Sequence, residues 1–547
     1  MAALCAASTP AIMDTARPTI EPVAATPESL VDLVREHACS QPDAIAFMFG
    51  EEQFTFGELD RGSNRAAHAL AALGVSKGDR IAYLGKNHPL YFEALIAAAK
   101  LGAVMTPINW RLAPPEVAYI VNDCAAQVLL VGAGFGAMLG AVHADFAHVR
   151  TVIGFDADDP ARTDYRQWRD GYPADELPIA IAPGDDALQL YTSGTTGRPK
   201  GAVMTHSSLL SSRHRGEEVE LRAWQQPVAG EVTLLAMPCF HISGTGTGIG
   251  TISAGTCSIV LPEYDPTRAL ELIERYNISK IFLVPAAIQI MLDHPRVSEV
   301  DFSRLKFITY GASPIPLELM KAAMERFGCG FVQMYGMTET SGTIVTLDPE
   351  DHVPQGSPRM RSVGKPLPGV ELKIVDAQGH ALRANAIGEI ATRSAKNMRG
   401  YWNLPEATAA TIDSDGWLRT GDAGYFDADG YLYIHDRVKD MIISGGENVY
   451  PAEVENAVYS HPKVADVAVI GVPDAKWGEA VKACVVVKPG ERLDADEVIA
   501  HARLHIAGYK CPKSVDFIAA LPRNPSGKIL RRELRAPYWD GKERQIN

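Results

Sequence analysis

Residues 191–201 read YTSGTTGRPKG, and this stretch decides how the rest of the chain is read. Gly194 and Gly197 sit among the hydroxyl residues Thr192, Ser193, Thr195 and Thr196, and Lys200 follows just beyond Pro199. The preceding residues Ala187 to Tyr191 are apolar enough to form a strand. A glycine-rich turn leaving a strand lets backbone N–H groups and hydroxyls converge on phosphate oxygens. The lysine adds a mobile positive charge. The spacing is not G-x-x-x-x-G-K-[ST], so this is not a Walker loop. A lone Gly/Ser/Thr loop is often ordinary surface; its place behind a strand, with a lysine, favours phosphate.

Further motifs follow in order. Gly311-Ala312-Ser313 comes after the apolar run Leu305–Tyr310, and QMYGMTET runs from Gln333 to Thr340. Thr420-Gly421-Asp422 lies inside DGWLRTGDAGYF; DRVKDMIISGGENVYPAEVE spans 436–455 and PRNPSGKILRREL spans 522–534. Together, from about Ser29 to Arg535, these stretches resemble the adenylate-forming superfamily: acyl-CoA synthetases, aryl-CoA ligases, luciferases and the adenylation domains of peptide synthetases.

The bulk composition agrees with a soluble globular protein of several domains. At 547 residues the chain is too long for one compact core. Hydrophobic residues make up 46% and charged residues 22%, an ordinary globular balance. A net charge of −14 argues against nucleic-acid partners. The eight cysteines are scattered without a C-x-x-C pair, which reads as reduced cytoplasmic thiols. The first 26 residues lack the charged start and apolar core of a signal peptide and are expected to be a disordered lead-in. Val232 to Pro262 carries no Asp, Glu, Lys or Arg, but its proline, histidine and many Gly, Ser and Thr favour a buried pocket wall over a transmembrane segment. The last residues, Arg544 to Asn547, do not spell a peroxisomal address.

Alternating elements predict an α/β fold with largely parallel sheet. Strands are expected at 232–236, 257–261, 280–284 and 331–335, and helices at 267–276 and 316–327. The helix at 267–276 has an apolar stripe of Ala269, Leu270, Leu272 and Ile273. From about 363 to 436, short strands split by Gly, Pro and Asp turns predict a small β-rich subdomain. A helix starting near Pro451, strands at 467–472 and 483–487, and a helix at 494–506 predict a small α+β domain. The expected division is a large N-terminal domain of layered α/β subdomains over 27–438 and a C-terminal domain over 439–547. Three patterns read as empty. His501 and His505 are four apart, but with no Glu or third ligand nearby they form a solvated face. The alternating glycines 244–250 do not spell a dinucleotide loop, and Gly311-Ala312-Ser313-Pro314 is not a hydrolase elbow. In the basic cluster Lys528, Arg531 and Arg532, the last two read equally as part of a site or as an exposed helix start.

The resemblance implies an ATP-dependent carboxylate–CoA ligase that forms an acyl-adenylate and then a thioester, within fatty acid and lipid metabolism, with ATP, Mg²⁺ and coenzyme A as cofactors. It implies that Thr192 to Lys200 wrap the β- and γ-phosphates, and that Gly311, Ala312 and Ser313 line the adenine with Tyr335 and Gly336. Thr338 would hold the α-phosphate, Glu339 the metal, and Asp422 the ribose hydroxyls beside Arg437. Lys528 would bridge the attacking carboxylate and the α-phosphate, Gly445 and Gly446 would pass the pantetheine arm, and Lys439 would be the hinge of a mobile C-terminal domain. The position four residues beyond the hinge, often lysine in relatives, is Ile443, which takes no role. The acyl pocket would be built from His241, which is also a catalytic candidate, with Gly244, Thr245, Gly246, Met337 and Gly342. With no obvious cation there to pair a second carboxylate, the expected substrate is a medium- to long-chain or bulky apolar monocarboxylic acid. An aryl or cyclic acid, or a carrier protein loaded in trans, are the alternatives. Relatives are often homodimers.

Overall fold

The computed structural model describes residues 27–155, 163–192, 198–211, 222–437, 440–444, 447–474, 477–523 and 528–540. The expectations for residues 1–26, for Ser193 to Gly197, and for Lys439, Gly445 and Gly446 fall outside these. Among the described residues two large sheets dominate. One has nine strands, in the order Lys365–Pro366, Gly342–Leu347, Gly330–Met337, Phe307–Gly311, Lys280–Leu283, Val232–Leu235, Cys257–Val260, Ile45–Phe49 and Glu52–Thr55. Its interior pairings are parallel, and antiparallel strands close both edges. The other has eight strands and carries the hairpin of Asp186–Thr192 and Lys200–Thr205 near one edge. Parallel strands covered by helices on their faces are buried throughout, so Arg80–Leu84 and Val104–Ile108 are buried at every position.

Local signals set the element ends. The helix Pro266–Tyr276 starts with Asp265 accepting the Arg268 N–H and with proline at its first position. Its buried face is Ala269, Leu270, Leu272 and Ile273, the stripe read from the sequence, and Asn277 ends it with φ +49°. The uncharged segment 232–262 folds as strand Val232–Leu235, helix Ile242–Ala254 and strand Cys257–Val260. That helix has 13 residues, against the roughly 20 a membrane span requires. Among the described residues no helix is long and apolar enough to cross a membrane.

The strands Glu371–Val375, Gly388–Arg393, Leu418–Phe426 and Leu432–Arg437 form an antiparallel sheet where the β-rich subdomain was expected. It ends at Arg437, and a five-stranded sheet begins at Ile442. This last sheet encloses its own core of Ile442, Val454, Val458, Val467, Val481, Val485 and Val498.

Two expectations change here. The helix expected at 494–506 is Ala495–Arg503, with Asp494 as its cap rather than its first turn. His505 therefore lies beyond the helix end, yet its ring meets His501 at 4.8 Å between centroids. The histidine pair is also not without neighbours. His461 meets His501 edge-on at 4.8 Å, and its Nε2 lies 3.4 Å from Glu497. Long-range packing brought these groups in, which spacing along one helix cannot show. Among the described residues, no group of three or more His, Cys, Asp or Glu has an arrangement that could hold a metal ion.

Candidate active site

Gly311 to Ser313, Tyr335, Gly336 and Glu339 lie at the C-terminal ends of the parallel strands Phe307–Gly311 and Gly330–Met337, where open α/β sheets bind ligands. On one side stands the hairpin of the opening motif. Thr192 pairs with Lys200 and Tyr191 with Gly201, so residues 193–199 connect two antiparallel strands. Thr192 Oγ1 lies 3.5 Å from Glu339 Oε1, and the Tyr401 hydroxyl donates to the same oxygen at 2.9 Å. The Lys200 ammonium sits 5.0 Å above the Tyr401 ring. Glu339 is 6% exposed, in the short 3-10 turn Thr338–Thr340 directly after the strand. Thr340 fastens this turn, accepting from Met337 N–H at 3.0 Å and donating to the Gly342 carbonyl at 2.7 Å. Thr338 is thereby fixed next to Glu339.

On the other side Tyr335 and Asp422 meet. The Tyr335 hydroxyl donates to Asp422 Oδ2 at 2.8 Å, joining the nine-stranded sheet to the β-rich subdomain. Asp422 is 9% exposed, and its N–H donates to Thr420 Oγ1 at 3.1 Å. Arg437 stands opposite Asp422 in the antiparallel register, so the two implied ribose ligands are cross-strand neighbours. Ala312, between Gly311 and Ser313, has φ +69°, a turn that ends the strand sharply. Gly336 is where close approach demands glycine: a Cβ there would lie under 3.0 Å from the Gly342 carbonyl across the strand pair.

The expected acyl wall divides. Gly342 faces the start of the helix Ile242–Ala254: a Cβ there would lie 3.5 Å from the side chain of Ile242, the residue after His241. Gly246, on the helix Ile242–Ala254, has open space where its Cβ would be. Gly244 does not: a Cβ there would collide with the Pro238 carbonyl, so this glycine admits backbone rather than ligand. Thr245 is fully buried, and its hydroxyl is engaged by Tyr91 at 2.7 Å and by the Cys239 carbonyl at 2.5 Å. Both residues hold the start of the helix against its neighbours. Met337 is half-buried against Ala202, Met398 and Leu418. A cation does stand near this wall: Arg111 stacks on Trp110 at 4.0 Å, lies 5.9 Å from the Phe240 ring, and reaches Glu263 at 3.9 Å.

His241 Nε2 is buried and has no hydrogen-bond partner among the described residues. Burial, then the positive charge of Arg111, pushes its pKa down to about 4. The ring is therefore neutral at pH 7. A folded value below the unfolded 6.5 makes the unfolded chain bind more protons as pH falls. His88 and His206 are pushed to about 4 by the same burial. Their contribution to stability is complete above pH 6.5 and is lost as pH drops from there toward 4. Calorimetry should show the melting temperature falling across that window, with a shallower slope in His241→Asn. Adenylation should show no His241 inflection between pH 6 and 8; an inflection abolished by His241→Asn would contradict a neutral ring.

In the C-terminal part, Lys528 lies between two clamped arginines. Arg523 pairs with Asp466 at 2.7 Å, and Arg531 holds both oxygens of Glu455 at 2.8 Å. Arg531 is thus a structural strut, while Arg532 is exposed on the helix Arg531–Trp539. Arg535 pairs with Asp440 at 2.8 Å, and the Tyr459 hydroxyl reaches Gln289 at 3.1 Å, linking this part to the nine-stranded sheet's helices. Tyr401 and its bond to Glu339 were not singled out from the sequence, because the two are 62 residues apart and meet only through sheet pairing.

Comparison with known proteins matches this arrangement. The AMP-binding enzyme family matches residues 34–402, and the AMP-binding enzyme C-terminal domain matches 453–528. The chain is 40% identical to a fatty acid–[acyl-carrier-protein] ligase of Streptomyces coeruleorubidus, over 95% of this chain and 98% of that one. It is 40% identical to a feruloyl-CoA synthase of an Amycolatopsis species, over 91% and 96%. The crystal structure of ATP-bound MatB from Rhodopseudomonas palustris superposes with TM-score 0.84 at 29% identity, covering 94% of this chain and all of that one. The fold and site define an adenylate-forming enzyme. The chain belongs to the AMP-binding enzyme family, and within it is an AMP-forming acyl-CoA synthetase that uses ATP, Mg²⁺ and coenzyme A.

Proposed function

We propose that the enzyme activates a medium- to long-chain or bulky apolar monocarboxylic acid in the cytoplasm. The reading is supported by the contacts of Thr192, Lys200 and Glu339 around Tyr401, by the Tyr335–Asp422 bond, and by the open space at Gly246. In the first step a carboxylate oxygen attacks the α-phosphorus of ATP, the bond to the β-phosphate oxygen breaks, and pyrophosphate leaves. In the second, a thiol sulfur attacks the acyl carbon and AMP leaves with its bonding electrons. Two anions must meet in the first step, so charge neutralisation and in-line positioning carry the catalysis.

Thr192 to Lys200 are assigned to the β- and γ-phosphates, Gly311, Ala312, Ser313, Tyr335 and Gly336 to the adenine, and Asp422 with Arg437 to the ribose. Thr338 and Lys528 are assigned to the α-phosphate, and Gly445 and Gly446 to the pantetheine path. Mg²⁺ fits Glu339: a buried carboxylate held by hydroxyl donors suits a cation that takes its other ligands from phosphate and water. When bound, the ion neutralises phosphate charge. We divide the chain into 27–438 and 439–547 about Lys439, and assign it a homodimer.

An aryl acid is the second reading, favoured by the feruloyl-CoA relative, and a carrier protein in place of coenzyme A is favoured by the acyl-carrier-protein ligase. Pyrophosphate release over butyrate to palmitate, benzoate and cinnamate, with coenzyme A or phosphopantetheinylated carrier as acceptor, separates the three. A flat response across the aliphatic acids with a preference for cinnamate would replace the first reading. The two glycines sharpen it. Gly246→Leu should fold and lower catalytic efficiency for the longest acids by about one to two decades, since overfilling a formed cavity costs about 1–3 kcal/mol. Gly244→Leu should instead lower the melting temperature and depress every acid alike. A uniform loss in Gly246→Leu would remove that residue from the wall.

A further inference from the structure

We propose that Tyr401 is a positioning residue for the metal carboxylate and the phosphate lysine at once. This rests on the reading of Glu339 as the Mg²⁺ ligand. Its hydroxyl donates to Glu339 Oε1 at 2.9 Å, and its ring lies 5.0 Å below the Lys200 ammonium. One side chain thus touches both charged groups assigned to the triphosphate. With Thr192 Oγ1 3.5 Å from the same oxygen, one end of the carboxylate is fixed, and with it the direction in which Oε2 is presented.

The phenol suits this task. A lysine or arginine here would neutralise the carboxylate and compete with the cation. A hydroxyl donor holds it and leaves its charge in place. The ring face offers Lys200 a cation–π seat beside the carboxylate.

The position is rigid. Tyr401 pairs with Ala202 and Gly400 with Val203, so the residue is stitched to the strand that begins at Lys200. Its N–H donates to Thr408 Oγ1 at 2.9 Å, and the next N–H, of Trp402, donates to the Gly201 carbonyl at 2.7 Å. Trp402 is held in turn by the Asp123 carbonyl at 3.0 Å and by Arg80, 3.4 Å over its ring. A mobile loop could not hold a carboxylate with such economy; this segment is part of the sheet.

The test uses the whole enzyme with Mn²⁺ as a spectroscopic stand-in for Mg²⁺. Tyr401→Phe removes the hydroxyl and keeps the ring. Electron paramagnetic resonance titration with a non-hydrolysable ATP analogue should show Mn²⁺ affinity about tenfold weaker, as for other losses of a ligand's hydrogen-bond partner. The Mg²⁺ concentration for half-maximal adenylation should rise in step, with kcat at saturating Mg²⁺ largely kept. Tyr401→Leu, which also removes the lysine's seat, should raise the KM for ATP in addition. Because Tyr401 acts through Glu339, the double variant Glu339→Gln/Tyr401→Phe should bind Mn²⁺ no more weakly than Glu339→Gln alone. Unchanged Mn²⁺ affinity in Tyr401→Phe, or losses that add in the double variant, would overturn the proposal. If Glu339→Gln itself leaves Mn²⁺ affinity intact, the metal assignment fails first, and the two failures are told apart.

Discussion

Lys528→Ala is expected to lose acyl-adenylate formation by at least about 10²-fold, while still converting supplied acyl-adenylate to the thioester. The magnitude follows from removing one preorganised charge from a transition state in which a carboxylate approaches an α-phosphate. An ammonium between the two anions is needed only while both are anions. Once the mixed anhydride exists, the carboxylate charge is gone, and the thiol's attack on the acyl carbon no longer brings two anions together. Lys528 is followed by Ile529, which bridges to Arg523, and the flanking arginines are tied to Asp466 and Glu455. Truncating the lysine breaks none of these ties. Pyrophosphate release and consumption of synthetic acyl-adenylate are the two measurements, and equal losses in both would remove Lys528 from the first step.

Much of the fold was legible because periodicity and caps were unambiguous. The stripe of the helix Pro266–Tyr276 and the proline opening the helix Pro451–Tyr459 placed those elements within a residue or so. Strand lengths were underestimated where two long strands pair along their whole length. Val464–Asp474 and Gly478–Val487 extend well past the expected cores because their pairing with each other, rather than local propensity, sets their ends. At 232–262 the proline, histidine and small polar residues argued against a spanning helix, and the segment folds as strand, helix and strand.

The site was legible as motifs and illegible as contacts. Glycines illustrate why. A missing Cβ means either space for a ligand or room for a neighbouring backbone, and the letters are identical. Gly246 has open space where its Cβ would be, and Gly244, two residues away on one helix, meets the Pro238 carbonyl. Long-range partners pose the same problem. Nothing local marks Tyr401 as the neighbour of Glu339, or His461 as the neighbour of His501; sheet pairing and helix packing bring them in. The cation beside the acyl wall, Arg111, arrives from the first third of the chain and was invisible for the same reason.

The reading of Asp422 has the sharpest chemical test. Its carboxylate is 9% exposed, its backbone is tied to Thr420, and one oxygen accepts from the Tyr335 hydroxyl at 2.8 Å. A buried carboxylate positioned in this way can accept both hydroxyls of a ribose. Hydrogen bonds to a charged acceptor contribute about 1.5–3 kcal/mol each. Losing two should lower kcat/KM for ATP by at least about 10²-fold in Asp422→Ala. Loss of activity alone would not identify the ribose, so the decisive quantity is discrimination. The parent enzyme should prefer ATP over 2′-deoxy-ATP and 3′-deoxy-ATP, because each analogue leaves one oxygen interaction unmade. In Asp422→Ala that preference should collapse toward unity, since the partner of the missing hydroxyl is gone. Tyr335→Phe serves as the contrast. It removes the bond to Asp422 but keeps the aromatic face, so it should cost far less and retain most of the discrimination. If Asp422→Ala is slow yet still rejects the deoxynucleotides as strongly as the parent, the ribose is bound elsewhere, and Asp422 serves only to tie the β-rich subdomain to Tyr335.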